Sequence, residues 1–203
     1  MKSFKLWDLT IDGNKSCIVK DKLGRDRSVR LLSWTEGRLW SPVNPINQSL
    51  RKRLGSNTAI LTRSLINFKH SFSKREIEWD ISNSLWVEHH IDKFDANQKI
   101  ILTKFIIDFK RNLTIYNDLP KSIIHNDIND NNIIITKKSI NPDIKGIIDF
   151  GDTLKSHTIN DLAVTCAYAI MNCHNPLSAA ISVIRGYNCL LYTSPSPRDA
   201  TLS

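Results

Sequence analysis

Ile123-Ile124-His125-Asn126-Asp127-Ile128-Asn129-Asp130-Asn131-Asn132-Ile133-Ile134-Ile135 decides how the rest of the chain is read. Two isoleucine-rich runs bracket a loop made almost wholly of His, Asn and Asp. Downstream, Gly146-Ile147-Ile148-Asp149-Phe150-Gly151-Asp152 ends a third isoleucine run in acidic residues. Short β-branched runs of this kind read as buried strands. The order is therefore strand, polar loop, strand, a turn at Asn141-Pro142-Asp143, and a third strand that ends at Asp149. Strands that eject carboxylates and carboxamides at their ends are a common way to hold a divalent cation beside a phosphate.

The loop spells H-x-D-x-x-x-x-N with His125, Asp127 and Asn132, and Asp149-Phe150-Gly151 follows 22 residues after Asp127. In phosphoryl transfer, the Asp of such a loop accepts the proton of the acceptor hydroxyl. The Asn and the Asp-Phe-Gly aspartate bind the metal that bridges the phosphates. A strand pair between Asn132 and Asp149 would bring both beside one Mg²⁺, with Asp127 on the acceptor side. A lone Asp or Asn in a loop is an ordinary turn former. The ordered set, spaced between buried strands, is far more specific. His125 reads as a structural ring, and Asn126 as a residue that tolerates left-handed backbone.

Working outward, residues 3–11 read as a strand closed by a turn at 12–14. Ser16–Val19 and Val29–Trp34 read as two more, with a turn at Lys22-Leu23-Gly24. Residues 35–45 read as a connector. Helical spacing runs from 47 to 68, with Gly55 as a candidate interruption. Ser73 and Glu76 fit a capping box, with Phe72 and Ile77 as its staple pair, and Trp79 and Trp86 read as packing aromatics. Asp95 and Gln98 fit a second capping box, opening a helix with Ile101, Leu102, Phe105, Ile106, Phe109 and Leu113 on its core face. A loop is expected from Asp152 to Asn160-Asp161, which would cap a helix over 162–171. A last helix spans 176–186.

The formal charge is +8 over 203 residues. Much of it lies in Arg51-Lys52-Arg53, Arg63, Lys69, Lys74 and Arg75, which read as a solvated helix face. No aromatic interleaving accompanies these basic residues, so nucleic acid is not the expected partner. Nothing reads as a membrane span or a signal peptide, so no membrane partner is expected. The four cysteines lack C-x-x-C spacing. They read as reduced thiols in a cytoplasmic protein, with Cys166 and Cys173 on one helix face as core filler.

The loop from His125 to Ile133, the stretch Gly146–Asp152 and Asp161-Leu162-Ala163 resemble the aminoglycoside phosphotransferase/choline kinase family. Asn129-Asp130 and Asp149–Asp152 look most similar to its hydroxylysine kinase branch, which includes kinase domains fused to class III aminotransferases. Val29–Arg38 resembles the family's last N-lobe strand and hinge, where the nucleotide base hangs on backbone groups. Leu32 and Trp34 are therefore candidates for nucleotide binding, beside Asn132 and Asp149. The resemblance implies an α+β, protein-kinase-like fold. Residues 1–34 would be a partial β-rich N-lobe and 35–45 the hinge. Residues 46–189 would form a mainly helical C-lobe with a small β-hairpin catalytic core. Residues 190–203 turn abruptly Ser/Pro-rich and read as a non-native tail.

The implied activity is transfer of the terminal phosphoryl of ATP or GTP, with Mg²⁺, to a hydroxyl of a small amine-bearing metabolite, with 5-hydroxylysine the best match. Asp127 would be the catalytic base, Asn132 and Asp149 the metal ligands, and Asp130 and Asp152 the candidates to hold the acceptor's ammonium. The chain departs from the family at Asn126, where Gly is usual. No Gly-rich loop or lysine–glutamate pair can be placed ahead of the hinge, and the chain reads as truncated at both ends. The rival expectation is a non-catalytic module or inactive kinase-like fragment, for example beside an aminotransferase domain.

Overall fold

The computed structural model describes residues 16–43, 46–137 and 140–191. The strand expected over 3–11, the turn after it and residues 192–203 lie outside these. The first described elements are β1 (Cys17–Lys20) and β2 (Asp26–Val29), an antiparallel hairpin. Its turn is where Lys22-Leu23-Gly24 placed it. Gly24 takes φ +74 and donates to Asp21 O at 2.9 Å, and the Asp21 carboxylate accepts from Leu23 N and Arg25 N. The expected strand over 29–34 is corrected. Pairing with β1 consumes Asp26–Val29 and ends where that run was to begin.

The connector is not merely a linker, because it contributes β3 (Arg38–Leu39). Gly37 permits this. A Cβ there would stand 2.3 Å from Ile134 Cγ2 and 2.4 Å from Ile135 O, so only glycine lets the chain lie this close. The three isoleucine runs are β4 (Lys121–Ile124), β5 (Ile133–Ile135) and β6 (Ile144–Ile147). β3, β5 and β6 form one antiparallel sheet. Thr136 N donates to Asp143 O at 2.9 Å across the turn, where Asn141 takes φ +51. β4 pairs instead with β7 (Leu154–His157), in the stretch expected to be loop.

Helix α1 (Gln48–Leu65) opens on Asn47, whose side chain accepts from Leu50 N at 2.8 Å. Gly55 does not interrupt it. Helix α4 (Pro176–Leu191) crosses α1 so closely that a Cβ on Gly55 would lie 1.9 Å from Val183 O, and one on Gly186 would lie 1.9 Å from Lys52 O. Helix α3 (Ile159–Ile170) packs on both α1 and α4, and α1 also meets β6. The main core joins Trp40, Leu50, Leu54, Ile128, Ile133, Ile135, Val183 and Tyr187.

Helix α2 (Ala96–Asn117) carries the expected capping box, with Asp95 accepting from Gln98 N at 2.9 Å and Gln98 answering from its side chain. Its packed face is narrower than expected. Leu102, Ile106, Phe109 and Leu113 are half-buried and Tyr116 is buried, whereas Ile101 and Phe105 stay exposed. The helix's main neighbour is a run of 3-10 turns over Ile81–Lys93, and one neighbour covers only one stripe. The box at Ser73 does not form. His70 caps a single 3-10 turn over Ser71–Ser73, Phe72 is 80% exposed, and Ile77 is buried without it. Trp79 and Trp86 are likewise exposed. Cys173 lies beyond the end of α3, so it shares no helix face with Cys166. Cys17, Cys166 and Cys173 form no disulfide among the described residues. No helix among the described residues is long and apolar enough to cross a membrane.

Candidate active site

The polar loop between β4 and β5 is held open by its own amides. Asn129 Oδ1 accepts from Asn131 N and Asn132 N at 2.8 and 3.1 Å, an Asx turn that fixes the loop's return. Asn129 Nδ2 then donates to Asp127 Oδ1 at 2.8 Å. Asn132 Nδ2 donates to Asp127 Oδ2 at 2.8 Å and to its backbone O at 2.9 Å. Asp127 is half-buried, and each of its carboxylate oxygens is oriented by one amide. The spacing singled out Asn132 but gave Asn129 no such role. Only the Asx geometry shows it.

Asp149 comes to this loop through backbone pairing. Ile133 opposes Ile147 in the β5–β6 register, and Ile148 N donates to Asn132 O at 2.9 Å. The next residue is Asp149, which takes φ +63, accepts from Gly151 N at 3.1 Å and caps the 3-10 turn Phe150–Asp152. Left-handed backbone at a non-glycine residue is costly and concentrates at functional sites. Arg75 reaches the same turn from another segment and donates to the carbonyls of Gly151 and Thr153.

His125 is fully buried. Its ring meets Phe150 at 4.7 Å between centroids, its Nε2 lies 3.0 Å from Ile148 O, and its Nδ1 accepts from Asp127 N at 3.3 Å. It therefore ties the Asp127 loop to the Asp149 turn, the structural part the sequence suggested. Asn126 takes φ +67, as expected, and neither atom of its buried amide has a partner.

Asn160 and Asp161 do not cap α3, which starts one residue earlier at Ile159. Asp161 turns under the loop and accepts from His125 N at 3.0 Å and Asn126 N at 2.8 Å. Burial pushes its carboxyl above the ordinary 3.8, and those two N–H groups draw it back. Asn160 joins a buried network instead. It donates to Asp80 Oδ1 at 3.0 Å and accepts from the Tyr116 hydroxyl at 2.9 Å. Ser156 Oγ donates to Asp80 Oδ2 at 2.8 Å, and Ser82 Oγ lies 2.9 Å from His157 Nδ1. These neutral donors stabilise the buried Asp80 carboxylate, which no described Lys or Arg pairs with.

The remaining candidates separate. Asp130 is half-buried and lines a cleft of about 610 Å³ together with Trp40, Arg51, Tyr168 and His174. Asp152 ends the Phe150–Asp152 turn and is not among the residues of that cleft. Leu32 and Trp34 lie past the end of β2, half and 89% exposed. The basic run at 51–53 is not one solvated face. Arg51 is half-buried in the cleft wall, and Arg53 ties to Pro142 O and Asp143.

A divalent cation fits part of this geometry. Among the described residues, no three His, Cys, Asp or Glu side chains cluster for a metal. The available donors are one carboxamide oxygen, Asn132 Oδ1, left over once its N–H groups go to Asp127, and the Asp149 carboxylate. Two hard oxygen ligands completed by nucleotide phosphates are how Mg²⁺ is usually held.

Residues 16–188 match the APH phosphotransferase enzyme family. The chain is 29% identical over 190 residues to a hydroxylysine kinase of Xenopus laevis, covering 86% of this chain and 50% of that one. It is 25% identical over 183 residues to a hydroxylysine kinase of Bos taurus, covering 85% and 48%. It thus spans about half the length of these curated relatives. A GDP complex of an aminoglycoside 2′-phosphotransferase superposes with a TM-score of 0.59 at 18% identity, covering 84% of this chain and 58% of that one. An aminoglycoside phosphotransferase of Streptomyces rimosus gives 0.53 at 18%, covering 85% and 65%. The fold is therefore the α+β, kinase-like one expected. With a match that takes in the whole loop and hairpin, the chain belongs to the APH phosphotransferase enzyme family.

Proposed function

We propose that this chain carries the acceptor-activating and metal-binding half of a small-molecule kinase. The observation that carries the proposal is the Asp127–Asn132–Asp149 arrangement. Asp127 is oriented by the amides of Asn129 and Asn132, and Asn132 is joined through Ile148 N–H to the strand end that presents Asp149. Asp127 would orient an acceptor hydroxyl and receive its proton as the bond to phosphorus forms. Asn132 and Asp149 would hold Mg²⁺, which when bound neutralises charge on the phosphates. The donor is ATP or GTP. The relatives named hydroxylysine kinase favour a hydroxylated, amine-bearing acceptor, with 5-hydroxylysine the best candidate.

One observation favours a second reading, a non-catalytic module or inactive kinase-like piece. Ahead of the connector, among the described residues, Lys20 pairs with Asp26 on the exposed hairpin and no lysine–glutamate pair forms. Calorimetry with Mg²⁺ and ATP or GTP separates the two. The kinase reading expects metal-dependent nucleotide binding that Asp149→Ala weakens about tenfold or more. Absence of binding at millimolar nucleotide would support the second reading instead.

A further inference from the structure

The cleft beside the catalytic loop carries two charges that phosphoryl transfer does not use. Its volume, about 610 Å³, suits a small metabolite. Arg51 projects into its wall from the first turn of α1. Its Nη1 donates to Ile46 O at 2.8 Å, its Nε to Ala169 O at 3.3 Å and its Nη2 to Cys173 Sγ at 2.9 Å. None of the three acceptors is a carboxylate. They engage three of the five guanidinium N–H groups, leaving one on each terminal nitrogen. No described carboxylate lies within ion-pair distance of Arg51.

Asp130 is the opposite case. It is half-buried in the same cleft, its carboxylate accepts one long bond from Asn131 Nδ2 at 3.4 Å, and no described Lys or Arg pairs with it. A half-buried charge without a counter-ion is costly, and one cation plus one anion in a single cleft is the complement of a zwitterion. The backbone O of Asp130 accepts from Ser41 N at 3.1 Å, which fixes this wall three residues from Asp127. The three existing bonds of Arg51 hold its guanidinium still, and a preorganised planar fork suits a carboxylate.

We propose that this cleft binds the acceptor as an amino acid, with Arg51 receiving its carboxylate and Asp130 an ammonium group. This deepens the kinase reading and rests on it only in calling the ligand an acceptor. Simple amino alcohols, which lack the carboxylate, are disfavoured at the same site.

The test reads binding rather than turnover. 5-Hydroxy-L-lysine and its carboxamide are titrated into the chain by calorimetry or ligand-observed NMR, and Mg·ATP and Mg·GTP are titrated into the same samples. The wild-type chain is expected to prefer the acid over the amide by roughly tenfold. Arg51→Gln should abolish that preference, Arg51→Lys should keep part of it, and Asp130→Asn should weaken both ligands. Equal affinity for acid and amide in the wild type, or failure to bind either, overturns the proposal without any variant. An Arg51→Gln effect equal on both ligands would make Arg51 a mere strut and also overturn it. Nucleotide binding without the preference would overturn only the cleft assignment. The preference without nucleotide binding would uphold the cleft and overturn the kinase reading.

Discussion

Asp161 Oδ1 accepts the backbone N–H of Asn126 at 2.8 Å, while its Oδ2 takes that of His125 at 3.0 Å. One fully buried carboxylate on α3 thereby fixes the start of the loop that carries Asp127. Removing it strands two buried donors, each worth about 1–3 kcal/mol when left unpaired. Asp161→Ala is expected to cost about 2–5 kcal/mol in urea unfolding. Asp161→Asn, which keeps one acceptor oxygen, should cost less. A loss below about 1 kcal/mol for Asp161→Ala would show that the loop holds itself.

Asn126 pays twice for its position, with φ +67 and an amide buried without partners. Glycine removes both costs at the expense of chain entropy. Asn126→Gly should therefore stabilise the fold by about 1 kcal/mol. Asn126→Ala, which keeps the strained backbone, should not. The ordering of the two melting temperatures is the readout.

The α1–α4 crossing depends on two missing Cβ atoms. Gly55→Ala and Gly186→Ala each place a carbon 1.9 Å from a backbone carbonyl, so the helices must separate. Each variant should lose about 3 kcal/mol or more, at the upper end for overpacking. The double variant should lose less than the sum, because one separation relieves both clashes. Strict additivity would mean that the two contacts relax independently.

His157 gives the fold a pH dependence of defined sign. Burial, aided by the Lys121 charge, holds its ring below the ordinary 6.5, while Asp80 opposes the shift. The unfolded chain therefore takes up this proton first as pH falls. Stability should be full above about pH 6.5 and decline below it, until the folded ring also protonates. Urea midpoints at pH 7.5 and 5.5 measure the effect. His157→Gln should fall less between them than the wild type. An equal fall would place the dependence elsewhere.

The isoleucine runs were legible because β4, β5 and β6 are buried, and β-branched residues mark such strands directly. β7 was not. Leu154-Lys155-Ser156-His157 looks like loop, and Ser156 and His157 become buried only through partners such as Asp80 and Ser82, more than seventy positions away. Gly55 looked like an interruption because its reason, Val183 of α4, is equally remote. Arg51 looked solvated because its acceptors belong to the 46 segment and the far end of α3. In the site, the spacing marked Asp127, Asn132 and Asp149. The orienting part of Asn129 and the anchoring part of Asp161 needed the folded loop, although Asp161-Leu162-Ala163 had already stood out by resemblance. Local pattern exposed the chemistry, and long-range pairing hid what holds it.

Asp127 is the proposed catalytic base, and its replacement is the most direct test. Transfer of the terminal phosphoryl from Mg·ATP or Mg·GTP to 5-hydroxylysine is measured for the purified protein and for Asp127→Ala, with melting temperature as the folding control. The expected kcat of the variant is about 10²–10⁴-fold lower at unchanged fold, the share a general base supplies. Turnover of a folded Asp127→Ala within a few-fold of the unaltered protein would contradict that role.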